Sequence, residues 1–290
     1  MDQQILQDSE LILNPDGSIY HLKLREEHVA ETVILVGDQG RVAAVSKFFD
    51  RVDYKIQNRE FVTHTGIYKG APVTVLSTGI GTDNMDIVLN ELHAVVNIDL
   101  ENRKFKDSKR QLNLIRIGTS GSLQEDIPAG AHIISEFSLG LDGLIYYYSY
   151  EFDIEEAELR DKINSHLKWN PNLAVPYLVK GSPTLIEQIG HDMSKGITAT
   201  ATGFYGPQGR RLGLQLSNEK MNESLQSFSS RGLRITNFEM ETSGLYSLGK
   251  VLGHHCCSCS LILANREKKE FIENPEKAMN GLIQTVLERV

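Results

Sequence analysis

The sequence predicts an α/β fold: a single domain over residues 1–290, with a central mixed β-sheet flanked by helices on both faces. Three observations predict it. Short, β-rich apolar runs alternate with helical stretches through most of the chain, the pattern of strands joined by packing helices. No internal repeat, low-complexity tract or linker divides the sequence. Hydrophobic residues make up 40 % of the 290 and charged residues 23 %, which suits one large core.

The elements follow in order. Thr32 to Val36 is a β-rich run that stops at Gly37, and a helical stretch begins at Arg41. Residues 61–68 and 73–77 read as a hairpin across Lys69-Gly70-Ala71-Pro72. Gly79-Ile80-Gly81-Thr82-Asp83 opens a helix with suitable capping residues, running to about Val96. The polar, charge-rich residues 97–110 lack periodicity and read as a surface loop. Strands are expected at 112–117, before Gly118-Thr119-Ser120-Gly121, and at 131–135. After an aromatic run at Tyr146-Tyr147-Tyr148, residues 151–167 form a charged helix. Ser182-Pro183 has the order of an N-cap followed by proline in the first turn. Strands at 197–201 and 235–238 end in a Gly-rich loop and at Glu239, respectively. Asn274-Pro275 caps a last helix.

Charge and termini narrow the function. The net charge is −8 without a long basic run, whereas a nucleic-acid groove needs concentrated Lys and Arg, so no polymer partner is expected. A few arginines can still serve a small anion locally. No stretch has the length of a membrane-spanning helix. Met1-Asp2-Gln3-Gln4-Ile5 lacks the positive start and apolar core of a secretory signal. Cys256, Cys257 and Cys259 are too close together to staple distant parts, so a reduced, cytoplasmic protein is expected. His254-His255-Cys256-Cys257 has ligand-type residues but no second pair to complete a zinc site. The preferred reading is a core strand over 256–263 after a helix-ending Gly253, with no metal.

In an α/β sheet, ligands gather where strands run out into loops. Three such places collect glycine, hydroxyls and arginine: Gly37-Asp38-Gln39-Gly40-Arg41, Gly79-Ile80-Gly81-Thr82 and Arg116-Ile117-Gly118-Thr119-Ser120-Gly121. Glycine lets backbone N–H groups approach an anion, and arginine adds forked donors. None matches a nucleotide-hydrolase phosphate loop or a complete dinucleotide fingerprint. Each alone could be an ordinary turn; together they indicate a phosphate site. Asn237-Phe238-Glu239-Met240-Glu241-Thr242 places two carboxylates at a strand end. They could perform acid/base work or grip sugar hydroxyls, or one could simply start the next helix, where acids suit the dipole.

These segments resemble the nucleoside phosphorylase superfamily of the trimeric and hexameric type, and within it the uridine phosphorylases. Tyr20-His21-Leu22-Lys23-Leu24, Arg59-Glu60-Phe61, Phe204-Tyr205-Gly206-Pro207-Gln208-Gly209-Arg210 and Ala264-Asn265-Arg266 complete the set, in the family's order. The resemblance implies phosphate binding by Gly37, Arg41, Arg116 and Thr119, with Arg59 reaching in from a neighbouring subunit. It gives the ribose to Met240 and Glu241, and its 5′-hydroxyl to His21 of the neighbour. It sets Phe204 against the base, with Gln208 and Arg210 on its polar edge and Arg266 in support. Arg116, Glu241, Arg210 and Gln208 would carry catalysis, without a cofactor.

A uracil edge offers carbonyl, N–H and carbonyl, which an amide and a guanidinium can match. The related purine enzymes place an aspartate where this chain has Asn265-Arg266. The expected reaction is therefore phosphorolysis of a pyrimidine ribonucleoside, uridine first, in pyrimidine salvage. A purine nucleoside phosphorylase, a hydrolytic nucleosidase and a non-catalytic nucleoside binder are the alternatives. A homo-oligomer with shared active sites follows from the same resemblance. Gly206-Pro207 reverses the family's usual Pro-Gly, Gln39-Gly40 replaces Pro-Asp, and Asn84 replaces a serine that holds a monovalent cation in some bacterial relatives.

Overall fold

The structure, a computed structural model, describes residues 5–290; the reading made at Met1-Asp2-Gln3-Gln4 lies outside them. From the N-terminus, β1 (Thr32–Val36) leads into α1 (Gln39–Ser46), and β2 (Arg51–Asn58), β3 (Phe61–Tyr68) and β4 (Ala71–Ser77) form an antiparallel meander. After α2 (Thr82–Asn97) comes a small hairpin of β5 (Ile98–Asp99) and β6 (Lys104–Phe105), then the long strands β7 (Asn113–Ser122) and β8 (His132–Gly140). α3 (Ile154–Leu167), β9 (Tyr177–Lys180), α4 (Pro183–Gly190) and β10 (Ser194–Thr200) follow. The chain closes with α5 (Met221–Gln226), β11 (Ser229–Ser230), β12 (Leu233–Glu239), α6 (Thr242–Leu252), β13 (His255–Asn265), β14 (Glu270–Phe271) and α7 (Pro275–Leu287).

The strands join in one mixed sheet in the order β11-β12-β10-β8-β13-β7-β1-β4-β3-β2, with β9 beside β8 and β14 beside β13. β12 also returns to β7, setting Phe238 opposite Gly121 and Asn237 opposite Ser122. The strands β7, β13, β8, β10 and β12 therefore close into a ring. Alternation explains why helices cover both faces. Val33 and Leu35 belong to a core with Leu89 and Leu92 of α2 and Leu245 of α6. Ile34 and Val36 point the other way, toward Val42 of α1, Ile189 of α4 and Leu282 of α7. The α/β single-domain architecture with a central mixed sheet is as expected.

Several local expectations need correction. Residues 97–110 are not a bare loop. Asn97 is buried and brackets the segment, its Nδ2 donating to Arg110 O at 3.1 Å and its Oδ1 accepting from Arg110 N at 2.6 Å. Gly118-Thr119-Ser120-Gly121 does not follow the strand but continues it, because β13 and β12 both supply partners there. β2 was not expected; it is an edge strand with little burial, so its apolar pattern is weak. α3 starts at Ile154 because Asp153 and Glu156 form a reciprocal capping box. Ser182 precedes Pro183 as expected, yet its hydroxyl makes no cap bond and lies 3.5 Å from His255 Nδ1. Asn274 does cap α7, accepting from Lys277 N at 3.0 Å. The cysteines lie buried on β13, and burial pushes the Cys256 thiol up. Among the described residues no helix is long and apolar enough to cross a membrane.

Candidate active site

A cavity of about 600 Å³ opens at the ends of β1 and β12 and along the inner length of β7, and all three glycine-rich segments reach it. On one side β1 ends at Gly37, and Asp38 caps α1 by accepting from Gly40 N at 3.0 Å. This turn brings Arg41 inward, where its Nη1 donates to Ile117 O at 3.3 Å. A Cβ at residue 37 would meet Gly79 O at 3.3 Å, a tight contact, so glycine lets these loops approach closely. Thr119 also lines the cavity, from within β7.

Arg116 of β7 is 4 % exposed and lies across Gly118, where any Cβ would overlap its guanidinium. Its Nη2 pairs with Glu241 and its Nη1 stands 3.5 Å from Glu239 Oε2. Nevertheless, Nε and Nη1 are buried without a hydrogen-bond partner. Unmet buried donors cost roughly 1–3 kcal/mol each, so the site favours a ligand oxygen that accepts from them. Burial lowers the pKa of Arg41, and the like charge of Arg116 lowers it further. Burial also pulls Arg116 down, but Glu241 and Glu239 outweigh it and hold its pKa raised. Both side chains remain cations and stand together at one edge of the cavity.

The two carboxylates at the junction of β12 and α6 divide the two roles left open by the sequence. Glu239 starts α6, accepting from Thr242 N at 2.9 Å, Glu241 N at 2.8 Å and Thr200 Oγ1 at 2.6 Å. Burial raises its carboxyl above the usual range, against the pull of Arg116. Glu241 is turned toward the arginine and accepts from Gly81 N at 2.8 Å. Met240 and Glu241 both line the cavity, next to Arg116.

The opposite end is built on the loop after β10. Gln208 is 3 % exposed, and its Oε1 accepts from Arg210 Nη1 at 2.7 Å and Arg266 Nη2 at 2.9 Å. Arg266 also donates to Gln208 O. Burial, with help from Arg210, lowers the Arg266 pKa to about 10. Arg210 stacks 3.9 Å from the ring centre of Phe204, which is 51 % exposed. Phe204, Gln208 and Arg210 line the cavity; Arg266 stands behind Gln208 instead.

Two expected site residues lie apart from this cavity. His21 holds Glu91 through Nδ1 at 2.6 Å, and Arg59 donates from Nη2 to Tyr20 OH at 3.1 Å. They form one surface cluster, tied by Asn58 Nδ2 to His21 O at 2.8 Å. Sequence reasoning missed Glu60, Leu263, Phe271 and the lining role of Ile80. Ile80 and Phe271 are 70 % and 66 % exposed. Their available signal was an apolar residue isolated in a glycine turn or a charged stretch.

Known proteins share this arrangement of chain. Residues 31–288 match the model of the phosphorylase superfamily. A uridine phosphorylase of Thermococcus kodakarensis is 32 % identical over 269 residues, which cover 90 % of this chain and 83 % of that protein. A DeoD-type purine nucleoside phosphorylase of Clostridium perfringens is 26 % identical over 235 residues, covering 80 % and 81 %. Among solved structures, a Trypanosoma brucei nucleoside phosphorylase described as showing uridine phosphorylase activity matches with a TM-score of 0.87. It is 31 % identical, and the match covers 96 % of this chain and 98 % of that one.

Proposed function

The chain belongs to the phosphorylase superfamily, and we propose that it cleaves uridine with inorganic phosphate to give uracil and ribose 1-phosphate, a reaction of pyrimidine salvage. The observation that carries this reading is the buried Arg116, with Nε and Nη1 unmet beside Arg41 and Glu241. A tetrahedral oxyanion meets those donors. Gly37, Arg41, Arg116 and Thr119 position phosphate, and Arg59 joins them from a second subunit.

Glu241 and Met240 hold the ribose, with His21 of the second subunit at its 5′-hydroxyl. As the glycosidic bond lengthens, positive charge grows on the sugar beside phosphate and Glu241. Negative charge grows on the base, where Arg210 and the Gln208 amide donate, and Phe204 covers the ring. The Gln208 amide oxygen takes the ring N–H as Arg210 turns to a ring carbonyl. Preorganised donors of this kind supply roughly 3–4 kcal/mol per key contact. The residues act from a cytoplasmic homo-oligomer.

Asn265 favours a pyrimidine over a purine. It stands where the resemblance puts an aspartate in purine enzymes, but it is 1 % exposed and spent inside the fold. Its Nδ2 donates to Gln124 O at 3.0 Å and Ile127 O at 2.9 Å, and its Oδ1 accepts from Lys268 N at 2.9 Å. No group there can protonate a purine ring. The test is base release from a panel of pyrimidine and purine nucleosides, with and without phosphate. Phosphate-dependent uracil release is expected. Equal release without phosphate would mean a hydrolase, and faster purine release would overturn the base assignment.

A further inference from the structure

A second cavity, of about 350 Å³, shares one loop with the first: Gln208 and Arg210 line the active site, whereas Gly206 and Pro207 line this one. Its walls come from five parts of the chain. Leu141 follows β8, Trp169 and Asn170 follow α3, Thr202 follows β10, and Met221 begins α5. Gln215 and Asn218 complete the polar side.

The chemistry of this lining is selective. Trp169 is the chain's one tryptophan. Its Nε1 donates to Ala174 O at 2.9 Å, which ties the indole to the turn after α3, and the ring lines the cavity. Asn170 Oδ1 accepts from Asn172 N and Asn218 Oδ1 from Lys220 N, each at 3.0 Å. With both oxygens engaged, these amides offer N–H donors. Among the described residues the side chains of Gln215 and Thr202 make no hydrogen bond, so they too can meet a ligand. Apolar walls with a few convergent donors, in a space of this size, suit a small planar molecule bearing carbonyl oxygens.

We propose that this cavity is a second binding site, for a flat heterocycle with ring carbonyls and the size of a pyrimidine base, and that its occupancy is felt at Gln208. The route is short. Met221 lines the cavity, and its neighbour Asn222 donates from Nδ2 to Gln208 O at 3.2 Å. Gly209, at φ 72°, would set any Cβ against the Asn222 side chain, so α5 packs closely on the loop that carries Gln208. Only the identity of the ring as reaction product rests on the reading above; the lining chemistry stands without it.

The experiment titrates uracil into the full chain with phosphate present, reading stoichiometry by calorimetry and the emission of Trp169. Two uracils per chain are expected, one of them followed by the Trp169 signal. Gln208→Ala should remove the other event and keep the signal. Asn218→Leu and Gln215→Leu should remove the signal, leave uridine turnover intact, and abolish the noncompetitive part of uracil inhibition. A signal lost in Gln208→Ala but kept in both leucine variants would assign it to the active site and overturn the proposal. One uracil per chain with no Trp169 response would do the same. A Trp169 response in a protein that does not bind uracil elsewhere would support the second site while removing the proposed function.

Discussion

Arg116 holds Glu241 with one nitrogen and has two more buried without a partner. Arg116→Ala removes those donors and also strands Glu241. Losing a charge-assisted contact in a closed site costs roughly 2–5 kcal/mol. The variant is expected to lose phosphate affinity and turnover together, read as phosphate KM and kcat; normal values for both would make the arginine structural. Gln208→Ala and Arg210→Ala act at the other end of the bond and should cut uridine turnover while phosphate KM stays near its wild-type value. Selective loss of phosphate affinity in either variant would misplace the base pocket. Arg266→Ala should resemble Gln208→Ala more weakly, because Arg266 stands behind Gln208 and holds both its amide and its backbone oxygen.

Between elements, the contact of α2 with the turn before β13 rests on two neutral histidines. His254 Nδ1 accepts from Leu112 N, and its Nε2 lies 3.2 Å from His93 Nδ1. Burial first, then the neighbouring histidines, lower the His254 pKa to about 4. Above pH about 6.5 the ring is neutral folded and unfolded, and pH has no effect through it. Below that value the unfolded state takes up the proton first. Stability should therefore fall from pH about 6.5 to about 4 and then level, by about 3 kcal/mol. Thermal unfolding against pH checks this, and His254→Gln should flatten the curve over that window. The pair could not be read from sequence, because residues 93 and 254 meet only when α2 packs on α6. What could be read were periodic elements: Thr32–Val36, Phe61–Tyr68 and the buried run of β13 carry their own hydrophobic signal. β2 is mostly exposed and the hairpin in residues 97–110 has two residues per strand, so neither carries a hydrophobic pattern to read. At the site, Arg116 and Glu241 were visible by motif. The division of labour between Glu239 and Glu241 was not, since it depends on which carboxylate the α6 N–H groups capture.

For the whole molecule, the position of His21 and Arg59 outside their own cavity fits a site completed by a second copy. Arg59→Ala and Glu241→Ala are each expected to be inactive. In a mixed dimer one site carries both lesions and the other carries neither. Remixing after mild dissociation should restore up to about a quarter of wild-type activity, given random pairing in a two-fold dimer. Exchange confirmed by mass spectrometry with no activity regained would place both residues in one site. Within each copy, the closed ring of strands has a different consequence. Arg116 and Glu241 come from β7 and the end of β12, which are bonded directly to each other, with Leu123 N donating to Thr236 O at 2.9 Å. Neither strand has a free edge along which to peel away from the other. The amide proton of Leu123 should consequently exchange with solvent deuterium only when the entire domain unfolds. The floor of the cavity between these two strands should then stay shut for the lifetime of the fold.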